Sequence, residues 1–241
     1  MDVVRTVPVT GSTNADLLDL ARAGAVEGVW LRAERQESGR GRQGRAWSSP
    51  PGNLYASSIV RLRPTDPPAP SLALAAAVAL AEAVVVASGG SLPAGRGGLV
   101  VRWPNDLLVD GAKLSGILLE RAEDAVVIGF GVNVTSHPDL PDRATTDLRA
   151  LAVATSSSEL LALLVERMAS WLARWRGEGV AAIRDRWLEL AQPIGTPMSA
   201  RLPDGRVVDG LFDGLSSDGA LRLDLADGSS RVIHAADLTT P

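Results

Sequence analysis

Residues 102–120 read RWPNDLLVDGAKLSGILLE, and this stretch decides the fold. Two apolar runs, Asp106 to Val109 and Lys113 to Arg121, flank Asp110-Gly111, a dipeptide that readily takes the positive φ of a two-residue hairpin turn. Leu99 to Trp103 precedes them as a short strand, and Ala125 to Val134 follows after Glu123-Asp124. Strands joined this tightly pair antiparallel, so an antiparallel meander lies at the centre of the domain.

Working outward, Val29 to Ala33 and Leu54 to Leu62 are further strands. Between them lies ESGRGRQGRAWSSPPGN, residues 37–53, where Gly and Pro forbid regular structure. Ser12 or Thr13 can cap a helix over about residues 13–23, with Leu17, Leu18, Leu20 and Ala21 on one side and Gly24 placed to end it. Ser71 to Ser88 is the most apolar stretch, but it is Ala-rich, broken by Glu82, and shorter than the roughly 20 residues that span a bilayer. It reads as a buried helix. From Ser157, Leu160, Leu161, Leu164, Met168, Trp171, Leu172 and Trp175 recur at helical spacing as far as Gly177, and Ala181 to Ala191 forms a second short helix. Pro193 to Pro197 is a boundary. Beyond it, Asp204-Gly205, Asp218-Gly219 and Asp227-Gly228 punctuate the runs Arg206 to Phe212, Ala220 to Leu225 and Arg231 to His234, giving four or five short strands in about 45 residues. The expected division is therefore residues 1–192 and a small β module over 193–241.

Composition narrows the chemistry. The chain has 241 residues, 46% hydrophobic and 22% charged, the balance of a globular protein. It has no cysteine, which excludes disulfide scaffolds, thiolate zinc sites, iron–sulfur clusters and cysteine nucleophiles. The two histidines, His137 and His234, lie far apart and outside ligand spacing. A net charge of -4 argues against a protein that coats nucleic acid. The opening MDVVRTVPVTGSTN carries no signal pattern, which predicts a cytoplasmic protein without membrane attachment. Lys113 is the only lysine among 24 lysine and arginine residues.

Three clusters carry candidate chemistry. In Gly39-Arg40-Gly41-Arg42-Gln43-Gly44-Arg45, glycines open backbone amides to a ligand while three arginines concentrate positive charge, which suits an anion. A solvated Gly-Arg loop or an RNA-binding segment has the same composition, but nearby Trp47 can stack a nucleotide base. Arg102 to Asp106 then presents amide and carboxylate groups at a strand end, and Lys113 opens the strand containing Gly116. A lone lysine in an arginine-biased chain marks a place where an ammonium is required and a guanidinium does not serve. The third cluster, Gly129 to Val134, sets two glycines one pleat apart, suiting close contact with a flat ligand, with Asn133 as a polar reader.

In this order, Ser12-Thr13-Asn14, Gln36, GRGRQGR with Trp47, Gly52-Asn53-Leu54-Tyr55, WPND, KLSGILLE and GFGVN resemble the biotin protein ligase family over about residues 6–240. The resemblance implies an α+β catalytic domain, a class II synthetase-like mixed sheet flanked by helices, followed by a small SH3-like β-barrel domain. It implies that biotin and Mg-ATP form biotinyl-5′-AMP and pyrophosphate, after which a lysine of a biotin carboxyl carrier domain of an acyl-CoA carboxylase takes the biotinyl group. Carried over by motif, Ser12, Thr13, Asn14 and Gln36 bind the ring end of biotin, while Gly39, Arg40, Lys113 and Gly116 line its chain and carboxylate. Arg40, Arg42, Arg45, Trp47, Asn53, Asn105, Asp106 and Asn133 surround the nucleotide. Lys113, Arg42 and Asp106 are the catalytic set, with Asp106 as magnesium ligand or as base for the acceptor lysine.

Arg102 stands where the family commonly has lysine. The motifs begin by residue 12, so the resemblance implies the short form without an N-terminal DNA-binding domain and no DNA partner. It leaves the oligomeric state open, with a homodimer compatible. Two other readings stand beside it: a lipoyl or octanoyl attachment enzyme of the same fold, which would share the lysine but not the GRGRQGR-to-Trp47 loop, and a non-catalytic biotin or nucleotide sensor.

Overall fold

The computed structural model describes residues 3–95 and 97–239; the outermost ends of both expected domains lie outside the described residues. A seven-stranded sheet is built from β1 (Val3–Thr10), β2 (Val29–Gln36), β3 (Leu54–Arg61), β4 (Leu99–Arg102), β5 (Asp106–Val109), β6 (Ala112–Ala122) and β7 (Ala125–Val132). Its order is β1-β2-β3-β7-β6-β5-β4. The DG hairpin forms as expected: Asp110 and Gly111 have φ of 49° and 79°, and Val109 pairs with Ala112. Only β1 and β2 are parallel. A parallel pair needs a crossover, and helix α1 (Thr13–Arg22) supplies it.

Strand alternation divides the core into two faces. Leu31, Ile59, Ala125 and Val127 pack with Leu17 and Ala21 of α1 on one face. Trp30, Val60, Val126 and Ile128 point the other way, onto helices α2 (Leu72–Ala87) and α3 (Ser157–Leu190). This is the period-2 geometry of a sheet covered on both sides. Helix α2 together with the turn that leads into it, Ala69–Ala87, is long and apolar enough to cross a membrane by length and composition. Most of its side chains are instead buried between sheet and α3, as the alanine-rich sequence suggests.

The second sheet is wholly antiparallel, in the order β11-β10-β9-β8-β12. Its strands are β8 (Pro197–Arg201), β9 (Val207–Leu215), β10 (Leu221–Asp224), β11 (Ser230–Ile233) and β12 (Asp237–Thr239). Strand β8 starts at Pro197, which the sequence had placed in a boundary.

Two further differences have physical reasons. The long helix breaks at Gly179, with φ of 78°, and not at Gly177; the bidentate Arg174–Glu178 pair, one turn apart, holds the helix through Gly177. Strand β1 has no sequence signal because it is a mostly exposed edge strand containing Pro8, which an edge tolerates for want of a required donor.

A candidate active site

Helix α1 stops short of covering its face of the sheet, and the uncovered part is the floor of a cavity of about 710 Å³. Three glycines make that floor low. A Cβ at Gly129 would lie 2.1 Å from Asn14 Oδ1, and one at Gly131 would lie 2.6 Å from Trp47 Cε2. One at Gly116 would lie 3.2 Å from Trp47 Cζ3 and 3.3 Å from Lys113 Nζ. The glycines of the third cluster thus admit Asn14 and the indole of Trp47.

The Gly-Arg loop roofs this floor as a small folded hairpin. Gly41 N donates to Arg45 O at 2.7 Å and Trp47 N to Gly39 O at 2.9 Å. Gly39 is packed against Ser49 and the Trp47 carbonyl, with no room for a side chain. Trp47 lies across Gly131 and Gly116 with its indole N–H buried and unpartnered.

At the α1 end the wall is polar. Ser12 holds the N-cap position of α1, but its hydroxyl makes no capping hydrogen bond, so the expected side-chain cap is absent. Gln36 Oε1 accepts from Thr13 N at 2.9 Å and lies 3.2 Å from Thr13 Oγ1. Gln36 Nε2 donates to Ser49 Oγ at 3.1 Å, and Ser49 Oγ donates to the Trp47 carbonyl at 3.0 Å. Thr13 also meets Ser57, which bonds Asn14, which bonds Glu120.

The opposite end is charged. Lys113 Nζ donates to Asp106 Oδ1 at 2.6 Å, and Arg102 Nη2 reaches Asp106 Oδ2 at 3.3 Å. The ammonium lies 5.5 Å from the Trp47 ring centroid, within cation–π range. Arg42 and Arg45 both pair with Asp237 of β12. Burial pushes the Arg42 guanidinium below its ordinary pKa, opposed by the carboxylates of Asp237 and Asp106. Arg143, raised by its hydrogen bond to Asp142, adds another cation to the wall. This end gathers several cations that can hold an anion in exchange for the carboxylates now paired with them.

The cavity brings together Ser12, Thr13, Asn14, Gln36, Gly39 and Arg40 at one side, and Arg42, Arg45, Trp47, Asn105, Asp106, Lys113, Gly116 and Asn133 around the rest. Asn53 is the exception. It is 2% exposed and does not line the cavity. Its Oδ1 accepts from Val134 N and Thr135 N at 2.8 Å and from Ser136 N at 3.2 Å, so it clamps the turn after β7 and does not reach a nucleotide. Asn105 and Asn133 line the cavity but donate their amides to the Ile117 and Thr146 carbonyls.

Among the described residues, the protein offers no cage of its own for a metal around Asp106. Both its carboxylate oxygens are engaged by cations, and no group of three or more His, Asp or Glu side chains that could hold a metal ion exists among the described residues. Sequence reasoning missed Asp237 and Arg143, and also Ser57 and Glu120, which lie behind the wall. Glu120 closes the KLSGILLE motif and was in view; Asp237 comes from the other sheet and has no local signal.

Residues 7–133 match the Biotin/lipoate A/B protein ligase family, and residues 194–238 match the Biotin protein ligase C terminal domain. The chain is 37% identical over 240 residues to a Biotin--[acetyl-CoA-carboxylase] ligase of Paracoccus denitrificans, with 95% of this chain and 97% of that one aligned. It is 37% identical over 237 residues to the ligase of that name from Mycobacterium tuberculosis, covering 96% and 86%. The Bifunctional ligase/repressor BirA of Bacillus subtilis is 34% identical, with 95% of this chain and 71% of that one aligned. In fold, the chain superposes on the biotin protein ligase from Aquifex aeolicus in complex with biotin and ATP, with a TM-score of 0.86, 22% identity and full coverage of both chains.

Proposed function

Because the chain belongs to the biotin/lipoate A/B protein ligase family, we propose that it is an ATP-dependent biotin protein ligase that modifies a lysine of a biotin carboxyl carrier domain. In the first step a biotin carboxylate oxygen attacks the α-phosphorus of ATP and pyrophosphate leaves. In the second, the acceptor amine attacks the acyl carbon, AMP leaves, and an amide forms. The observation that carries this reading is the placement of the chain's one lysine. Lys113 lines the same cavity as the polar residues at the α1 end and the arginines of the Gly-Arg loop, and its ammonium lies beside Gly116 and the Trp47 ring.

Each residue has a role suited to its surroundings. Thr13, Gln36, Ser12 and Asn14 hold the ureido ring by buried polar pairing, the mode that discriminates strongly between substrates. Gly39, Arg40 and Gly116 line the acyl chain, whose carboxylate is thereby brought to Lys113. The Lys113 ammonium bridges carboxylate and α-phosphate and neutralises charge gained in the transition state. Arg42 and Arg45 exchange Asp237 for the outer phosphates, and Trp47 stacks the adenine. Asp106 holds Lys113 and Arg102 in place and is the carboxylate assigned to take the acceptor proton. Magnesium enters as the counter-ion that ATP brings.

Pyrophosphate release is the test. Purified protein with Mg-ATP releases pyrophosphate with biotin and not with lipoate, octanoate or no acid. Lys113→Ala lowers kcat by about 10²–10³-fold, with biotin binding retained. If biotin binds and no acid stimulates release, the chain is a sensor and not a ligase.

A further inference from the structure

Behind the ring end of the cavity, Thr13 and Asn14 are joined in a hydrogen-bonded chain to two side chains, Ser57 and Glu120, that the proposed reaction does not use. Asn14 Nδ2 donates to Glu120 Oε2 at 2.8 Å and approaches the Leu118 carbonyl at 3.4 Å. Ser57 Oγ donates to Asn14 Oδ1 at 2.6 Å, and Thr13 Oγ1 lies 2.7 Å from Ser57 Oγ. Ser57 is fully buried, and Thr13 and Asn14 are nearly so.

The direction of every proton in this chain follows from its far end. A carboxylate only accepts, so Glu120 fixes the Asn14 amide with its NH₂ outward and its carbonyl toward Ser57. A carbonyl only accepts, so the single Ser57 proton goes to Asn14. The Ser57 oxygen can then meet Thr13 only as acceptor, which draws the Thr13 proton inward. Gln36 Oε1, the other neighbour of that proton, is likewise only an acceptor. Either way the Thr13 hydroxyl has no proton for the cavity and presents lone pairs to it.

Resting on the ligase reading above, we infer that Glu120, acting through Asn14 and Ser57, is a positioning residue that fixes the Thr13 hydroxyl as an acceptor. The ring end thereby requires an N–H at this point of the ligand and rejects a ring carrying an oxygen there. Without the Glu120 anchor the Asn14 amide can turn over. Ser57 then donates to Thr13, and the Thr13 proton, left with only the longer 3.2 Å contact to Gln36 Oε1, can be taken by a ligand oxygen that competes with it.

The experiment is calorimetric titration with biotin and with the two cyclic carbamates in which one or the other ureido N–H is replaced by oxygen. The wild-type chain should prefer biotin over one of the two by roughly 10- to 100-fold, the effect of leaving a buried acceptor facing an acceptor. In Glu120→Leu that preference should shrink about tenfold, and biotin KM should rise with kcat little changed. Asn14→Asp, which sets two carboxylates face to face, should lose biotin affinity. Asn14→Asp with Glu120→Gln, which reverses the hydrogen bond between positions 14 and 120 but keeps an acceptor for the Ser57 proton, should regain both affinity and preference. Far-ultraviolet circular dichroism identifies folded variants. Equal preference in wild type and folded Glu120→Leu, or no rescue in a folded double variant, overturns the inference while leaving the ligase reading intact. A wild-type chain that binds no biotin overturns the ligase reading and the inference with it.

Discussion

Tyr55 is the only tyrosine of the chain and is 1% exposed on β3, with its hydroxyl donating to the Pro50 carbonyl at 2.8 Å. Burial pushes its pKa up to about 12, against about 10 for the unfolded chain. As pH rises through this window, the unfolded chain gives up the phenol proton first and binds fewer protons than the native state. Stability therefore falls with pH, by about 2–3 kcal/mol once both forms are ionised. Having one tyrosine makes this directly visible: ultraviolet titration of the phenol should show a midpoint near 12 in the native protein and about 10 in guanidinium chloride. A native midpoint equal to the denatured one would remove the buried-phenol argument. At this scale the sequence was legible where composition is anomalous. Lys113 stands out as the only lysine, whereas Asp237 is one aspartate among many and gains its meaning only when β12 comes to lie beside the Gly-Arg loop.

Among the elements, the hairpins of the large sheet could be read from turn chemistry alone, since Asp110-Gly111 specifies both the reversal and its register. The Gly-Arg loop could be located but not shaped. Its order comes from Trp47, whose indole rests on Gly131 and Gly116 of a different part of the chain. This makes Gly131→Ala informative: the added Cβ would lie 2.6 Å from the indole, and strand backbone on β7 has little freedom to yield. The indole should be expelled and the loop loosened while the sheet stays intact. Trypsin should then cut between Arg40 and Arg45 several-fold faster than in the wild type, and biotin with ATP should protect the wild type more than the variant. Unchanged cleavage would show that the loop is held by its own backbone bonds.

For the whole molecule, the question is how two sheets behave as one body. Trp103 of the WPND segment donates its indole N–H to the Gly219 carbonyl at 3.1 Å. Trp187 at the end of α3 meets Phe212 of β9 edge to face, with centroids 6.3 Å apart. Buried residues of both sheets, from Leu99 and Trp103 to Phe212 and Leu223, belong to one continuous apolar cluster. Calorimetry should accordingly show one cooperative transition, with calorimetric and van't Hoff enthalpies equal. Gly219→Ala places a side chain at φ of +88° and 2.8 Å from Leu74 Cδ1, a strain of about 1–3 kcal/mol. It should lower the single transition; two separate transitions in the wild type would show that the sheets unfold independently. None of this docking was legible in the sequence, because a tryptophan beside a proline carries no record of the distant turn that accepts its hydrogen bond.

Under the proposed mechanism, in which an acyl group is activated for an amine, the solitary lysine has a consequence. A mixed anhydride acylates whatever ε-amine it meets, its maker included. This chain exposes no lysine on its outer surface, and the one it owns is tied to Asp106 inside the cavity. By writing arginine nearly everywhere a cation is wanted, the sequence would insulate the protein from the reactive anhydride that the proposed mechanism gives it.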